Sequence, residues 1–135
     1  MSMLLLLLVT VMVAKAQPEK VLAAYDFMEN NLDSAKVNID QAILHPESAE
    51  DAQAWQVRGF IYKAIYNQTE KGNRQSLVRI EALNSLRKSI TLDKDKVFLS
   101  DNISAMKYLI NTMHIDAAES LDPMDYEVAI ELFRK

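Results

Sequence analysis

Residues 55–62, WQVRGFIY, and residues 82–94, ALNSLRKSITLDK, decide the fold. Glycine inside a helix costs about 1 kcal/mol relative to alanine, so Gly59 needs a compensating cause. The usual cause is close approach of a partner helix, and we expect the small residue Ala82 to face it. The two stretches therefore predict a pair of packed helices. The residues expected at their contact are Trp55, Gly59, Tyr62, Ala82 and Leu86.

The composition predicts a helical fold. The chain has 135 residues, 50% of them hydrophobic, but only two glycines and three prolines. A many-stranded β fold needs more turn residues, so we expect one all-α domain. The net charge of −4 is small, and acidic and basic residues are interspersed along the chain. The sequence therefore indicates no basic surface for nucleic acid. The chain has no cysteine, which excludes disulfides, thiolate metal sites and a cysteine nucleophile.

Residues 1–16 have the pattern of a secretory signal peptide. An apolar run over residues 3–14 leads into Ala14-Lys15-Ala16, a small-x-small site that signal peptidase accepts. As a helix this run spans about 18 Å, which is too short to cross a bilayer core of ~30 Å. No lysine or arginine precedes the run, and the alternative is a buried first helix of the domain. We expect a cleaved leader, membrane contact only through that leader, and a secreted or periplasmic domain over 17–135.

Apolar residues at steps of three and four indicate successive helices. Potential caps are Asp33 or Ser34 for the second helix, Ser48 for the third and Asp101 for the fifth. Residues 67–74 are polar and predict a loop. The expected helices cover about 18–30, 33–45, 48–65, 77–93, 101–121 and 126–135. The apolar set expected to face inward on the fifth helix is Ile103, Met106, Leu109, Ile110, Met113 and Ala117.

The spacing in residues 55–94 resembles a tetratricopeptide repeat, a helix hairpin that stacks on its neighbours. The resemblance extends to hairpins at about 18–46, 48–94 and 101–135, the last supported by Ala129 and Phe133. It implies a right-handed stack of about three hairpins. The sequence departs from the motif at Arg58, where leucine is preferred, and by an insertion before Ala82. A plain helical bundle with a chance W-x3-G-x2-Y spacing is the alternative.

The resemblance also implies where a partner binds, because such repeats use the first helix of each hairpin to line a concave groove. Phe60 is the main candidate; it either faces solvent or packs against the insertion. We expect a protein or peptide as the partner. The face transferred onto this sequence contains Gln56, Phe60, Lys63, Asn67, Asn111 and His114.

No reactive constellation accompanies these residues. The two histidines are isolated from each other and the chain has no His-Glu-x-x-His pattern, so we expect no metal and no cofactor. We expect a non-catalytic scaffold or adaptor rather than an enzyme. The alternative is a structural module that self-associates through its C-terminal hairpin. The apolar final residues 126–135 also suggest that the array continues beyond this chain or that a partner covers its end.

Overall fold

The structure, a computed structural model, describes residues 19–119. These residues are helical with no strand among them, which confirms the all-α prediction. The expected leader at 1–16, the last expected helix and the expected packing residues Ala129 and Phe133 lie outside the described range. The elements are α1 (described over 19–27), α2 (Leu32–Ala42), α3 (Pro46–Ala49), α4 (Ala52–Ile65), a π-helical turn (Tyr66–Glu70), α5 (Leu77–Leu92) and α6 (Leu99–Glu119).

Side-chain caps fix the starts of α2, α4 and α5, the last through Ser76, and the caps of α2 and α4 differ from the prediction. The side-chain oxygen of Asn31 accepts from Ser34 N at 3.0 Å, so Asn31 caps α2. Asp51 caps α4 by accepting from Gln53 N at 3.0 Å. Ser48 is not that cap, because Pro46 starts the extra one-turn helix α3 and Ser48 is buried within it.

The helices pack mainly on their neighbours in sequence. α4 packs on α5 and also contacts α2, while α6 contacts both α5 and α4. One apolar cluster joins α1, α2 and α4, and a second joins α4, the π-helical turn, α5 and α6. The central helix α4 therefore supplies residues to both parts of the core.

Gly59 lies at a close contact between α4 and α5, as its position in the sequence predicted. A Cβ at this position would lie 2.6 Å from Leu86 Cδ2 and 3.3 Å from Leu86 N. The residue that meets Gly59 is thus Leu86 rather than the expected Ala82, which is fully buried nearby in the second cluster. The large side chain of Leu86 occupies the space that the missing Cβ leaves.

Trp55 is not the buried core residue that the sequence predicted. It is only partly buried, and its Nε1 donates to Ala49 O at 2.8 Å. The indole therefore holds the one-turn helix α3 against α4. Its half-burial follows from a position at the first turn of α4, next to the exposed Asp51.

α6 presents a different face to the core from the one predicted. Its buried residues are Asn102, Ala105, Leu109, Thr112 and Asp116. Of the expected inward set only Leu109 is fully buried. Met106 is partly buried, and Ile103, Ile110, Met113 and Ala117 are exposed. Polar contacts select the buried face: Asn102 Nδ2 donates to Ser89 Oγ at 2.9 Å, and Thr112 and Asp116 both accept from Arg79.

Candidate functional site

A groove on α4 brings together three of the six residues that the sequence singled out. Phe60, Lys63 and Asn67 recur at steps of three and four along one face of α4 and the π-helical turn. With Met28 and Ala64 they line a cavity of about 380 Å³, and we name this site the α4 groove. Met28 packs against the first apolar cluster and Phe60 against the second. The floor of the groove thus bridges both parts of the core.

The sequence left two positions open for Phe60, facing solvent or packed against the insertion, and neither describes it on its own. It is partly buried against the second apolar cluster, which contains residues of α5 and α6, and it still lines the groove. Its ring is therefore supported from behind and accessible from the front, an arrangement suited to contact with an apolar ligand group.

α6 supplies a polar wall to the same site. The Tyr108 hydroxyl donates to Asn67 Oδ1 at 2.8 Å, and Lys63 Nζ lies 5.0 Å from the centre of the Tyr108 ring. Tyr108 thereby orients Asn67 and stabilises Lys63 through a cation–π contact. The Asn67 amide nitrogen and the Lys63 ammonium remain as donors toward a ligand, because no other hydrogen bond or ion pair engages them within residues 19–119.

The polar surface continues beyond the α4 groove. An adjoining depression of about 420 Å³ shares Met28, Ala64 and Asn67 with it and runs along the turn between α1 and α2. The lining there includes Glu29, Asn30 and Gln68. Together the two depressions form an elongated surface rather than a single enclosed pocket.

The other predicted groove residues are not part of this site. Gln56 is only 8% exposed, because α4 is contacted by neighbours on several sides, so it was wrongly expected to face a ligand. Asn111 and His114 are exposed on α6 beyond Tyr108, and neither lines the α4 groove. Their exposure was predicted correctly, but their convergence with Phe60 was not.

A polar cluster around a buried arginine joins α2, α4 and α5, and sequence reasoning missed it. Its centre is Arg58, so we name it the Arg58 cluster. Arg58 Nε donates to Asp40 Oδ1 at 2.9 Å, and its guanidinium also donates to Glu81 Oε2 at 2.9 Å and Ser85 Oγ at 2.6 Å. The Tyr62 hydroxyl accepts from Arg58 and donates to Asp40. The only sequence signal was that Arg58 stands where the repeat motif prefers leucine.

Charges and burial shift the protonation equilibria of this cluster. Burial alone would raise the pKa of the Asp40 carboxyl, but hydrogen bonds from Lys36, Tyr62 and Arg58 outweigh it and leave that pKa below its ordinary value. Burial, and then the hydrogen bond to Asp40, raises the pKa of Tyr62. The hydrogen bond to Asp40 raises the pKa of Lys36. Asp40 is therefore held as a carboxylate at neutral pH.

A second polar cluster surrounds Arg79, and we name it the Arg79 cluster. Arg79 is only 2% exposed and its guanidinium donates to Tyr66 OH at 2.9 Å, to Thr112 Oγ1 at 3.2 Å and to Asp116. It also donates to the backbone oxygens of Asn73 and Arg74. These contacts attach α6 and the segment after the π-helical turn to α5. They hold α6 one turn from Tyr108, and thus position the polar wall of the α4 groove.

The described residues offer no metal site and no membrane span. No group of three or more His, Cys, Asp or Glu side chains within 19–119 could hold a metal ion. Nor does any helix in that range have the length and apolar character needed to cross a bilayer.

Comparisons with known proteins gave no match to any family model, curated protein or solved structure.

Proposed function

We propose that the protein is a non-catalytic binding scaffold of tetratricopeptide type, whose α4 groove takes an extended peptide segment of a partner protein. The observation that carries this proposal is the convergence of Phe60, Lys63 and Asn67 with Met28 and Tyr108. Residues from α4, α6 and the end of α1 meet there around one accessible apolar floor. Concave sites with an apolar lining and a few polar groups are typical of ligand binding.

The packing of the helices supports the repeat part of the proposal. In a stack of hairpins each helix contacts its neighbours in sequence, and the first helices of adjacent hairpins also contact each other. Here α4 contacts α2 and α5, α5 contacts α6, and α4 contacts α6 directly. The close approach of α5 at Gly59 provides the helix contact that the repeat motif requires.

The lining of the α4 groove favours a particular kind of peptide. Met28, Phe60 and Ala64 offer an apolar surface for one bulky side chain. Lys63 and Asn67 offer donors for a backbone carbonyl or a carboxylate, and no acidic side chain among residues 19–119 lines this groove. We therefore expect a bulky apolar residue next to an acidic one in the preferred peptide.

Peptide selection tests this function. Random peptides displayed on phage would be selected on the full chain, and the dissociation constant of the best peptide measured by fluorescence anisotropy. Replacement of Phe60 with alanine removes most of the apolar floor, so affinity should fall about tenfold or more. Lys63→Ala should lower the affinity less than Phe60→Ala does. The effect of Lys63→Ala should be smaller still at high salt, because salt screens the lysine charge.

Matched controls separate the groove from general effects. Leu44 is 80% exposed and remote from the groove lining, and Lys107 is exposed on α6, so Leu44→Ala and Lys107→Ala should leave the affinity unchanged. Circular dichroism checks that each variant keeps its helix content. Equal affinities for the wild type and Phe60→Ala, with helicity intact, would remove the α4 groove as the binding site.

The leader adds a location to the proposal. We propose that residues 1–16 direct the chain to an extracytoplasmic compartment and are then removed. Mass spectrometry of the protein recovered from that compartment should give Gln17 as the first residue. A chain that retains residues 1–16 there would contradict cleavage.

A further inference from the structure

A second cavity lies between α1 and the start of α4, and the proposed function does not use it. Its volume is about 300 Å³, and we name it the Asp51 cavity. Its floor is apolar, because Val21 and Val57 both belong to the first apolar cluster. Leu22 and Tyr25 stand beside this floor and are 62% and 54% exposed. The lining residues are Val21, Leu22, Tyr25, Asp51, Gln53 and Val57.

The Asp51 cavity and the α4 groove follow each other along the same two segments of the chain. Tyr25 of α1 lines the cavity, and Met28, directly after α1, lines the groove. On α4, Val57 lines the cavity and Phe60 lines the groove. Residues three apart are neighbours on one side of a helix, about 4.5 Å apart along its axis. The two sites therefore occupy successive turns of one seam, within reach of a single bound peptide.

The two sites differ in charge. Within residues 19–119, Lys63 is the only charged side chain that lines the α4 groove, and Asp51 is the only one that lines the Asp51 cavity. Lys20 of α1 donates instead to Gln41 on α2, at 2.9 Å. Asp51 Oδ1 accepts from Gln53 N at 3.0 Å, and no hydrogen bond or ion pair within residues 19–119 engages Asp51 Oδ2. The cavity thus offers a carboxylate oxygen beside an apolar surface.

We infer that the Asp51 cavity binds a basic side chain, lysine or arginine, of the peptide that occupies the α4 groove, an inference that rests on the proposed function of that groove. Long basic side chains pack their aliphatic part on apolar surface, here Leu22 and Val57. The cation then lies against the face of the Tyr25 ring and donates to the Asp51 carboxylate. An acidic side chain would be repelled by Asp51, and an apolar one would leave that carboxylate without a partner.

The length of α4 sets the spacing of the two contacts. Gln53 and Lys63 both lie within α4, ten residues apart, which corresponds to about 15 Å along the helix. An extended peptide rises about 3.3 Å per residue, so about four or five residues cover that distance. We therefore expect the basic residue of the peptide about four or five positions from the acidic residue that Lys63 attracts.

Peptides with an arginine placed at each position in turn test this inference. Each ten-residue peptide carries a fixed phenylalanine–aspartate pair, in either order, for the α4 groove, and serine elsewhere. One arginine then occupies a single position on either side of the pair. Fluorescence anisotropy gives the dissociation constant of each peptide for the full chain. Arginine four or five positions from the aspartate, on one side only, should raise the affinity about fivefold over the arginine-free peptide.

Variants of the protein identify the partner of the arginine. Asp51→Asn removes the charge but keeps a good helix cap, so it should abolish the gain from arginine and leave the arginine-free peptide unaffected. Tyr25→Ala removes the ring and should reduce the gain to less than about twofold. Asp33→Asn, at an exposed position in the first turn of α2 and outside both sites, should keep the whole gain. Circular dichroism checks the helix content of each variant.

The outcomes that overturn the inference differ from the one that overturns the proposed function. If binding depends on Phe60 but no arginine position raises the affinity, or if the gain survives Asp51→Asn, the inference is wrong and the proposed function stands. Equal gains at every arginine position would mean a general attraction to this acidic chain, and would also overturn the inference. Absence of binding by every peptide would overturn the proposed function and the inference with it.

Discussion

The two buried arginines differ in how far their acidic partners are exposed to solvent. Arg58 pairs with Asp40 and Glu81, whose side chains are 29% and 47% exposed. Arg79 pairs with Asp116, and those two side chains are only 2% and 8% exposed. The Arg58 cluster is therefore an ion-pair network at the edge of the protein, whereas the Arg79 cluster is a solvent-excluded pair.

This difference determines what each cluster contributes to the α4 groove. Arg58 pairs with two carboxylates, Asp40 on α2 and Glu81 on α5, so it keeps one of them when the other is lost. Arg79 depends on a single carboxylate, and its Nε is already buried without a partner within the described residues. Breaking a buried pair leaves an uncompensated charge, which is far more costly than breaking an exposed one. The position of α6, and with it of Tyr108, should therefore depend strongly on Arg79.

The largest effect is expected for Asp116→Ala. It leaves the Arg79 charge buried without its carboxylate, so the free energy of unfolding should fall by about 3–5 kcal/mol. Urea unfolding followed by circular dichroism measures this loss. Replacing the whole pair with apolar residues, Arg79→Met together with Asp116→Leu, should recover most of it, because no unpaired charge remains.

Asn111→Ala provides the control on the same helix, since Asn111 is exposed and its removal should change the free energy of unfolding by no more than about 0.5 kcal/mol. If Asp116→Ala were as mild as this control, the distinction between the two clusters would be wrong.

The sequence predicted the helices well because their signals are local. For α5 the predicted range 77–93 and the observed Leu77–Leu92 nearly coincide, since apolar spacing and the turn residues on either side define it. The face of α6 was mispredicted for a physical reason. A pattern rule places Thr112 and Asp116 outside, but Arg79, 33 and 37 residues earlier in the chain, supplies the hydrogen bonds that allow their burial.

The α4 groove was predictable only in part, for a similar reason. Phe60, Lys63 and Asn67 share one face of a single helical segment, so periodicity identifies them together. Met28 and Tyr108 come from other helices, and the hydrogen bond from Tyr108 to Asn67 spans 41 residues. Contacts between residues so far apart in the chain depend on how the helices pack. The periodicity of a single sequence does not specify that packing.

A smaller effect is expected for Asp40→Asn in the Arg58 cluster. Arg58 keeps Glu81 and Ser85 as acceptors, and Asp40 is partly exposed, so the loss should be about 1–2 kcal/mol. The folded protein lowers the pKa of Asp40, so its carboxylate stabilises the fold at pH values above the ordinary pKa of 3.8. That contribution is lost as the pH falls through the lower pKa of the folded state.

Urea midpoints of the wild type and Asp40→Asn, compared from neutral pH down to about pH 3, measure this contribution. The difference between the two proteins should be constant at neutral and mildly acidic pH and narrow below about pH 4. A difference that widens on acidification would mean that the carboxylate form of Asp40 does not stabilise the fold.

The smallest effect on stability, with the most direct effect on binding, is expected for Tyr108→Phe. The bond from its hydroxyl to Asn67 lies at the surface, so its loss should cost at most about 1 kcal/mol. Asn67 is then no longer oriented, and affinity for a selected peptide should fall about threefold to tenfold. Tyr25→Phe, an exposed tyrosine outside the groove lining, should change neither quantity. If Asp116→Ala lowers the affinity for the selected peptide in protein that remains folded, while Asp40→Asn does not, the Arg79 cluster is the one that positions the polar wall of the α4 groove. An equal loss of affinity in both variants would assign that role to the packed core as a whole.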